Sequence, residues 1–317
     1  MTSNKAGALL ATAIALIAVG CSDSSPSSSG NSGDREAGFP VTVHDATRQV
    51  TVAQRPQRIV SLSPSATESL FAVGAGDQVI AVDDQSDYPR GVPSTDLSSY
   101  QPNVEAIVRY RPDLVVLPAS VPRDVIGGLR DVGLTVLAEP APERLSGAYR
   151  QIRLLGAATG HRGAGERVAR GVRARVERAI AAAPSGPSPK VFHELDPDLY
   201  SASSESFIGR IYARLGLRNI ADPAAASAGT PYPQMSSEAV VAADPDLIVL
   251  ADTECCDQTP AKVLHRAGWG AVSAVRNGAV AAIDDDIASR WGPRIPVFVE
   301  RVVSAMEMTD EGLGSGG

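Results

Sequence analysis

Short apolar runs and amphipathic stretches alternate along this chain from residue 58 onward. "RIVSLS" (58–63), "QVIAV" (78–82), "DLVVLP" (113–118) and "LTVLAE" (134–139) have the length and β-branched content of buried strands. Between them "SATESLFAVGA" (65–75), "VEAIVRYRP" (104–112) and "VIGGLRDVG" (125–133) read as helices. Ser65 followed three residues later by Glu68 suggests a capping box at the first of these. The second half restarts the same alternation. Strands are expected at "KVFHEL" (190–195), "DLIVLA" (246–251) and "AVAAID" (279–284). Helices are expected at "SFIGRIYARLG" (206–216), "EAVVAADP" (238–245) and "RIPVFVERVVSAMEM" (294–308). Buried strands alternating with helices imply parallel α/β sheets, here in two lobes, 39–144 and 185–317.

One sentence of sequence occurs twice. "EAIVRYRPDLVVL" from Glu105 and "EAVVAADPDLIVL" from Glu238 are identical at eight of thirteen positions, so the lobes are built alike. Between the lobes, 145–184 is a connecting region holding "GAGERVARGVRARVERAIAAAP" (163–184). Val168, Val172, Val176 and Ile180 give it an apolar stripe, and five arginines (167, 170, 173, 175, 178) a solvated face. A helix of about 20 residues is about 30 Å long, enough to bridge two lobes.

The formal charge of −7 argues against nucleic acid as a partner. Residues 1–20 read as a signal peptide: Lys5, then the apolar "AGALLATAIALIAVG" (6–20), too short for a comfortable membrane span. It ends in "AVGC", which resembles a bacterial lipobox with Cys21 as the lipidated residue. Residues 21–38, rich in serine and glycine, read as a flexible tether. The expected product is an extracytoplasmic domain anchored to the cell membrane through Cys21.

"RIVSLSPSATESLFAVGAGDQVIAV", "SDYP" (86–89), "PYPQMSSEAVV" and "DDDIASRWGPRI" resemble the helical-backbone substrate-binding proteins of ABC importers, most of all their cobalamin-binding members. The resemblance covers nearly all of Phe39 to Met308. It implies two Rossmann-like lobes joined by one long backbone helix, a ligand cleft between them, and a monomer that serves a permease dimer with its ATPases. It matches Glu105 and Glu238 to a pair of glutamates, one per lobe, that dock into permease arginine pockets. Without that match they are exposed carboxylates at helix starts. The ligand is expected at the carboxyl ends of the strands, against Ser63, Pro64 and Ser65, with Tyr88, Tyr100 and Tyr200 as contacts or as packing residues. Asp286 and Arg290 match residues that meet polar corrin side groups, and Trp291 stands beside them. Departures from the pattern are Tyr100 and Gln85, where the cobalamin binders carry tryptophan and tyrosine, and Ile287 and Ala288, where they carry aromatics. Arg290 offers a planar fork to carboxylate, phosphate or amide oxygen, or a salt bridge to Asp284, Asp285 or Asp286.

Cys255 and Cys256 are adjacent, so outside the cytoplasm a vicinal disulfide is expected, with two thiols as the alternative. His44, His161, His193 and His265 are scattered, and only His193-Glu194 ends a strand near the expected cleft, so no metal site is expected. No G-x-S-x-G, H-E-x-x-H or phosphate-loop motif occurs. The expected function is therefore non-enzymatic and without cofactor: capture of a corrinoid, or of a ferric siderophore or haem on the same fold, for an ABC permease. A secreted hydrolase is the distant alternative.

Overall fold

The computed structural model describes residues 38–314. The signal peptide, Cys21 and all but the last residue of the tether lie outside that range. A small antiparallel hairpin, β1 (Val41–His44) and β2 (Gln49–Val52), opens the first lobe ahead of its main sheet. That lobe is a five-stranded parallel sheet of β3 (Ile59–Ser61), β4 (Val79–Asp83), β5 (Ser94–Leu97), β6 (Leu114–Pro118) and β7 (Thr135–Glu139). Its spatial order is β5-β4-β3-β6-β7. The central strands β3 and β6 are buried except for Pro118 at the end of β6, as their apolar runs require. The chain winds one way from β3 to β5 and the other way through β6 and β7. The reversal leaves a crevice beyond the carboxyl ends of β3 and β6.

The second sheet holds β8 (Lys190–Glu194), β9 (Arg218–Asn219), β10 (Leu247–Leu250) and β11 (Val280–Ala282), all parallel, in the order β11-β10-β8-β9. It too reverses beside its first strand. The repeated sentence now has a physical meaning. In both lobes it supplies a short helix, Val104–Arg109 or Ser237–Ala243, and then the strand across the reversal from the lobe's first strand. Its aspartate fastens the two strands together: Asp113 accepts from the backbone N–H of Gln57 and Arg58 at 2.7 and 3.0 Å, and Asp246 accepts from Lys190 N–H at 2.7 Å. Leu114 and Leu247 then enter the core fully buried.

The connecting region holds two helices, Leu145–Ala158 and Arg162–Ala181, where the sequence suggested only the second. They form an antiparallel pair that meets at glycines: a Cβ on Gly156 would stand 2.8 Å from the Gly165 Cα. The buried face of the longer helix is Gly165, Ala169, Val172, Val176 and Ala179, while Val168 and Ile180 are only half-buried. An apolar stripe spaced by four drifts around a helix of 3.6 residues per turn, so alanines complete the face. All five arginines point to solvent, and Arg175 pairs with Glu300 of the closing helix Ile295–Gly314. One continuous apolar core runs from the β1–β2 hairpin through these helices to Phe298, Val302 and Met306.

The helix Pro64–Ala72 corrects the expected capping box. Its cap is Ser63, whose Oγ accepts from Ala66 N–H at 3.4 Å, because Pro64 occupies the first turn with a preset φ. Ser65 and Glu68 are thereby freed, and both are used across the lobes.

Candidate functional site

A cavity of about 370 Å³ opens at the carboxyl ends of the first lobe's strands. Ser63, Pro64 and Ser65 line it from the end of β3, Pro118, Ala119 and Ser120 from β6, and Glu139 from β7. Tyr100 comes from the loop after β5 and is 79% exposed. The second lobe closes it with Asp285, Asp286, Arg290 and Trp291. Hollows of 420–430 Å³ elsewhere on the surface lie away from both sheet reversals. The cavity brings together seven of the residues singled out in the sequence: Ser63, Pro64, Ser65, Tyr100, Asp286, Arg290 and Trp291.

Beside the cavity the lobes are tied by charge. Glu68, 2% exposed, accepts from Arg294 Nε and Nη2 at 3.0 and 2.6 Å, and Arg290 Nη1 lies 3.6 Å away. Arg290 also donates to Asp87 Oδ1 at 2.8 Å and to the Gln85 carbonyl at 2.7 Å, and pairs with Asp286 at 2.5 Å. Of the two readings of Arg290 the salt bridge, to Asp286, is the one seen, and the paired guanidinium borders the cavity. Trp291 N–H donates to Ser65 Oγ at 3.2 Å, and its indole packs partly against the core. Burial pushes the Glu68 carboxyl up despite its two arginines. It pushes Asp286 up to about 6, with Arg290 opposing and the charges of Asp87 and Asp284 adding to the rise. Gly292 is required here because a Cβ would stand 2.8 Å from Glu68 Oε2.

Two of the expected aromatic contacts stay outside the cavity. The Tyr88 ring lies under the Arg294 guanidinium, 4.3 Å from it, so its face is already occupied. Tyr200 sits in the loop after β8, bridged to Gln234, with its side chain exposed.

The acidic run 284–286 divides its labour. Asp284 caps its helix by accepting from Ile287 N–H at 3.1 Å. Asp285 accepts from the N–H groups of Thr253, Glu254 and Cys255 at 2.6, 3.0 and 2.8 Å, and so holds the loop in which Cys255 and Cys256 are disulfide-bonded. His193 and Glu194 are fully buried, away from the cavity: His193 Nδ1 meets the Tyr212 hydroxyl at 2.7 Å, and Glu194 pairs with Arg266 at 2.5 Å. Among the described residues no cluster of three histidine, cysteine or acidic side chains is arranged to hold a metal ion.

Glu139, the last letter of "LTVLAE", is a cavity residue that the strand pattern did not flag. It is 7% exposed, its Oε1 has no hydrogen-bond partner, and burial alone pushes its carboxyl up to about 8. A polar residue closing a buried strand was the available signal. Outside the cavity lining, Glu105 and Glu238 occupy the same place in their two helices. Each is the second helical residue, exposed, after a cap made by Asn103 or Ser236 to the N–H three residues on, at 2.9 and 3.1 Å.

A family model described as periplasmic binding protein matches residues 59–287, which take in both sheets and the strut. The chain belongs to the periplasmic binding protein family. Within that family it is 30% identical over 310 residues to an uncharacterized ABC transporter substrate-binding lipoprotein of Bacillus subtilis, covering 94% of this chain and 95% of the relative. A cobalamin-binding protein of Halobacterium salinarum is 32% identical over 290 residues, 87% of this chain and 76% of its own. Among solved structures, the periplasmic vitamin B12 binding protein of Vibrio cholerae superposes with a TM-score of 0.68 at 26% identity, covering 81% of this chain and 99% of its own. The periplasmic heme-binding protein of Roseiflexus in its apo form gives 0.69 at 26% identity, with 80% and 99% covered.

Proposed function

We propose that this member of the family is a lipid-anchored, monomeric receptor that captures a corrinoid outside the cell membrane and delivers it to an ABC permease. The observation that carries the ligand class is the lining of the cavity. Hydroxyls of Ser63, Ser65 and Ser120, the Glu139 carboxyl, Asp286 and Arg290 offer hydrogen bonds to amide-bearing side groups. Tyr100 and Trp291 offer apolar surface to a macrocycle. Haem iron needs a histidine, cysteine, methionine or tyrosine as its axial ligand. Among the described lining residues only Tyr100 is of that kind. The cobalamin-binding relatives point the same way.

In this reading the ligand lies between the lobes, Glu105 and Glu238 engage arginines on the two permease subunits, and the transporter's ATPases drive release. Cys21 carries the lipid, and no covalent step and no cofactor take part. The test is calorimetric titration of the domain from Phe39 onward with cyanocobalamin. Saturable one-to-one binding supports the reading. Silence with cyanocobalamin and saturation by a ferric siderophore or haem would overturn the ligand while leaving the receptor.

A further inference from the structure

Glu139 is an expensive residue to place where it is. It closes β7 with its side chain buried in the wall of the cavity, and Oε1 has no partner. Nearby charge does not compensate it. Arg290, across the cavity, is engaged by Asp286 and Asp87, and Arg130, behind β7, is paired with Asp45 at 3.1 Å. Asp45 itself accepts from the N–H of Ala138, the residue before Glu139, and Asp285 and Asp286 line the cavity opposite, so no free cation among the described cavity residues offsets the burial that disfavours ionisation. The side chain therefore keeps its proton at neutral pH, in keeping with a carboxyl pushed up to about 8.

A neutral carboxyl presents an O–H donor and a carbonyl acceptor side by side. That pair is complementary to a primary carboxamide, whose carbonyl accepts and whose N–H donates in one plane. A carboxylate at the same place brings a negative charge into a poorly solvated pocket and has no N–H to give. We infer that Glu139 is a specificity-determining residue that selects a ligand bearing a primary carboxamide against one bearing a carboxylate at that position. The inference rests on the corrinoid reading, because corrinoids carry primary amides around the ring where haem carries carboxylates.

The test compares cyanocobalamin with its monocarboxylic acids, each with one propionamide hydrolysed, by calorimetry at pH 7. Wild type should bind at least one monoacid about tenfold more weakly than the parent, the effect of one good hydrogen bond. Glu139→Gln should keep that ratio within about threefold, since a glutamine amide offers one donor and one acceptor in place of the protonated carboxyl's O–H and carbonyl. Glu139→Leu, similar in size without polar atoms, should weaken cyanocobalamin binding about tenfold. Thermal melts establish that both variants fold. Full cyanocobalamin affinity in Glu139→Leu, or a preference lost in Glu139→Gln, would overturn the inference and leave the receptor reading intact, as would a wild type that binds every monoacid as tightly as the parent. A wild type that binds no corrinoid overturns the ligand reading and the inference with it.

Discussion

Replacing Glu68 by alanine removes the anion on which two arginines of the other lobe converge. Breaking a buried ion pair from one side costs about 3–5 kcal/mol when the stranded charge keeps no partner. Here the cost should be smaller, because Arg290 retains Asp87 and Asp286, and Arg294 retains the Tyr88 ring and a distant Asp286 oxygen at 3.9 Å. We expect about 2–3 kcal/mol, equivalent to a fall in Tm of about 4–6 °C for a domain of this size, residues 38–314. Arg294→Ala alone should cost less. Glu68, already pushed up by burial and then left with Arg290 alone at 3.6 Å, can take a proton rather than remain a poorly compensated anion. Its deficit should therefore shrink at pH 5 relative to pH 8. The double variant should fall short of the sum of the single effects by about 1–2 kcal/mol. Urea unfolding of the four proteins, followed by circular dichroism, measures the cycle. Strict additivity, or a Glu68→Ala protein with wild-type stability, would refute the idea that this tie holds the lobes in register.

Glu139 also predicts a pH effect on stability. Its carboxyl titrates near 8 when folded against an ordinary 4.5, so between those values the folded chain holds a proton the unfolded chain has released. Stability should then fall by about 1.4 kcal/mol per pH unit as pH rises through that window, and level off above it. Glu139→Gln lacks this slope, so its stability relative to wild type should climb from pH 5 to pH 8; parallel urea midpoints across the range would contradict it. Gly209→Ala should destabilise severely, by about 3 kcal/mol or more, because the new Cβ would stand 1.9 Å from the backbone carbonyl oxygen of Ser203; a melt near wild type would show that the loop yields. Glu105→Arg and Glu238→Arg, both on exposed helix starts, should fold and bind ligand normally yet reduce permease-coupled uptake by about tenfold or more each. Undiminished uptake in reconstituted vesicles would remove them from the docking surface.

Much of the fold was legible because burial on both faces leaves a plain mark: "DLVVLP" and "DLIVLA" can hardly be anything but central strands. The repeat also carried information its letters alone did not explain, since its aspartate proved to be the pin between neighbouring strands. The helix Leu145–Ala158 was missed because the arginine-rich segment after it dominates the pattern. The inter-lobe tie was hidden for another reason. Glu68 and Arg294 are 226 residues apart, and the local signal pulled Glu68 into a capping box that Pro64 had already displaced. Most of the expected cleft residues line the cavity, but two loop tyrosines do not: Tyr88 is held by Arg294, and Tyr200 lies outside the cavity.

A core that ignores the boundary between the lobes has a consequence for anyone wishing to recombine them. The helices Leu145–Ala158, Arg162–Ala181 and Ile295–Gly314 contribute to one apolar mass shared by both sheets. A chimera cut at the visible waist would pair helices that never co-evolved and leave Ile152, Val176 and Phe298 facing foreign side chains. The exchangeable module in this architecture is the rim of strand-end loops around the cavity. New ligand preferences should be graftable there while the three-helix cassette is inherited whole.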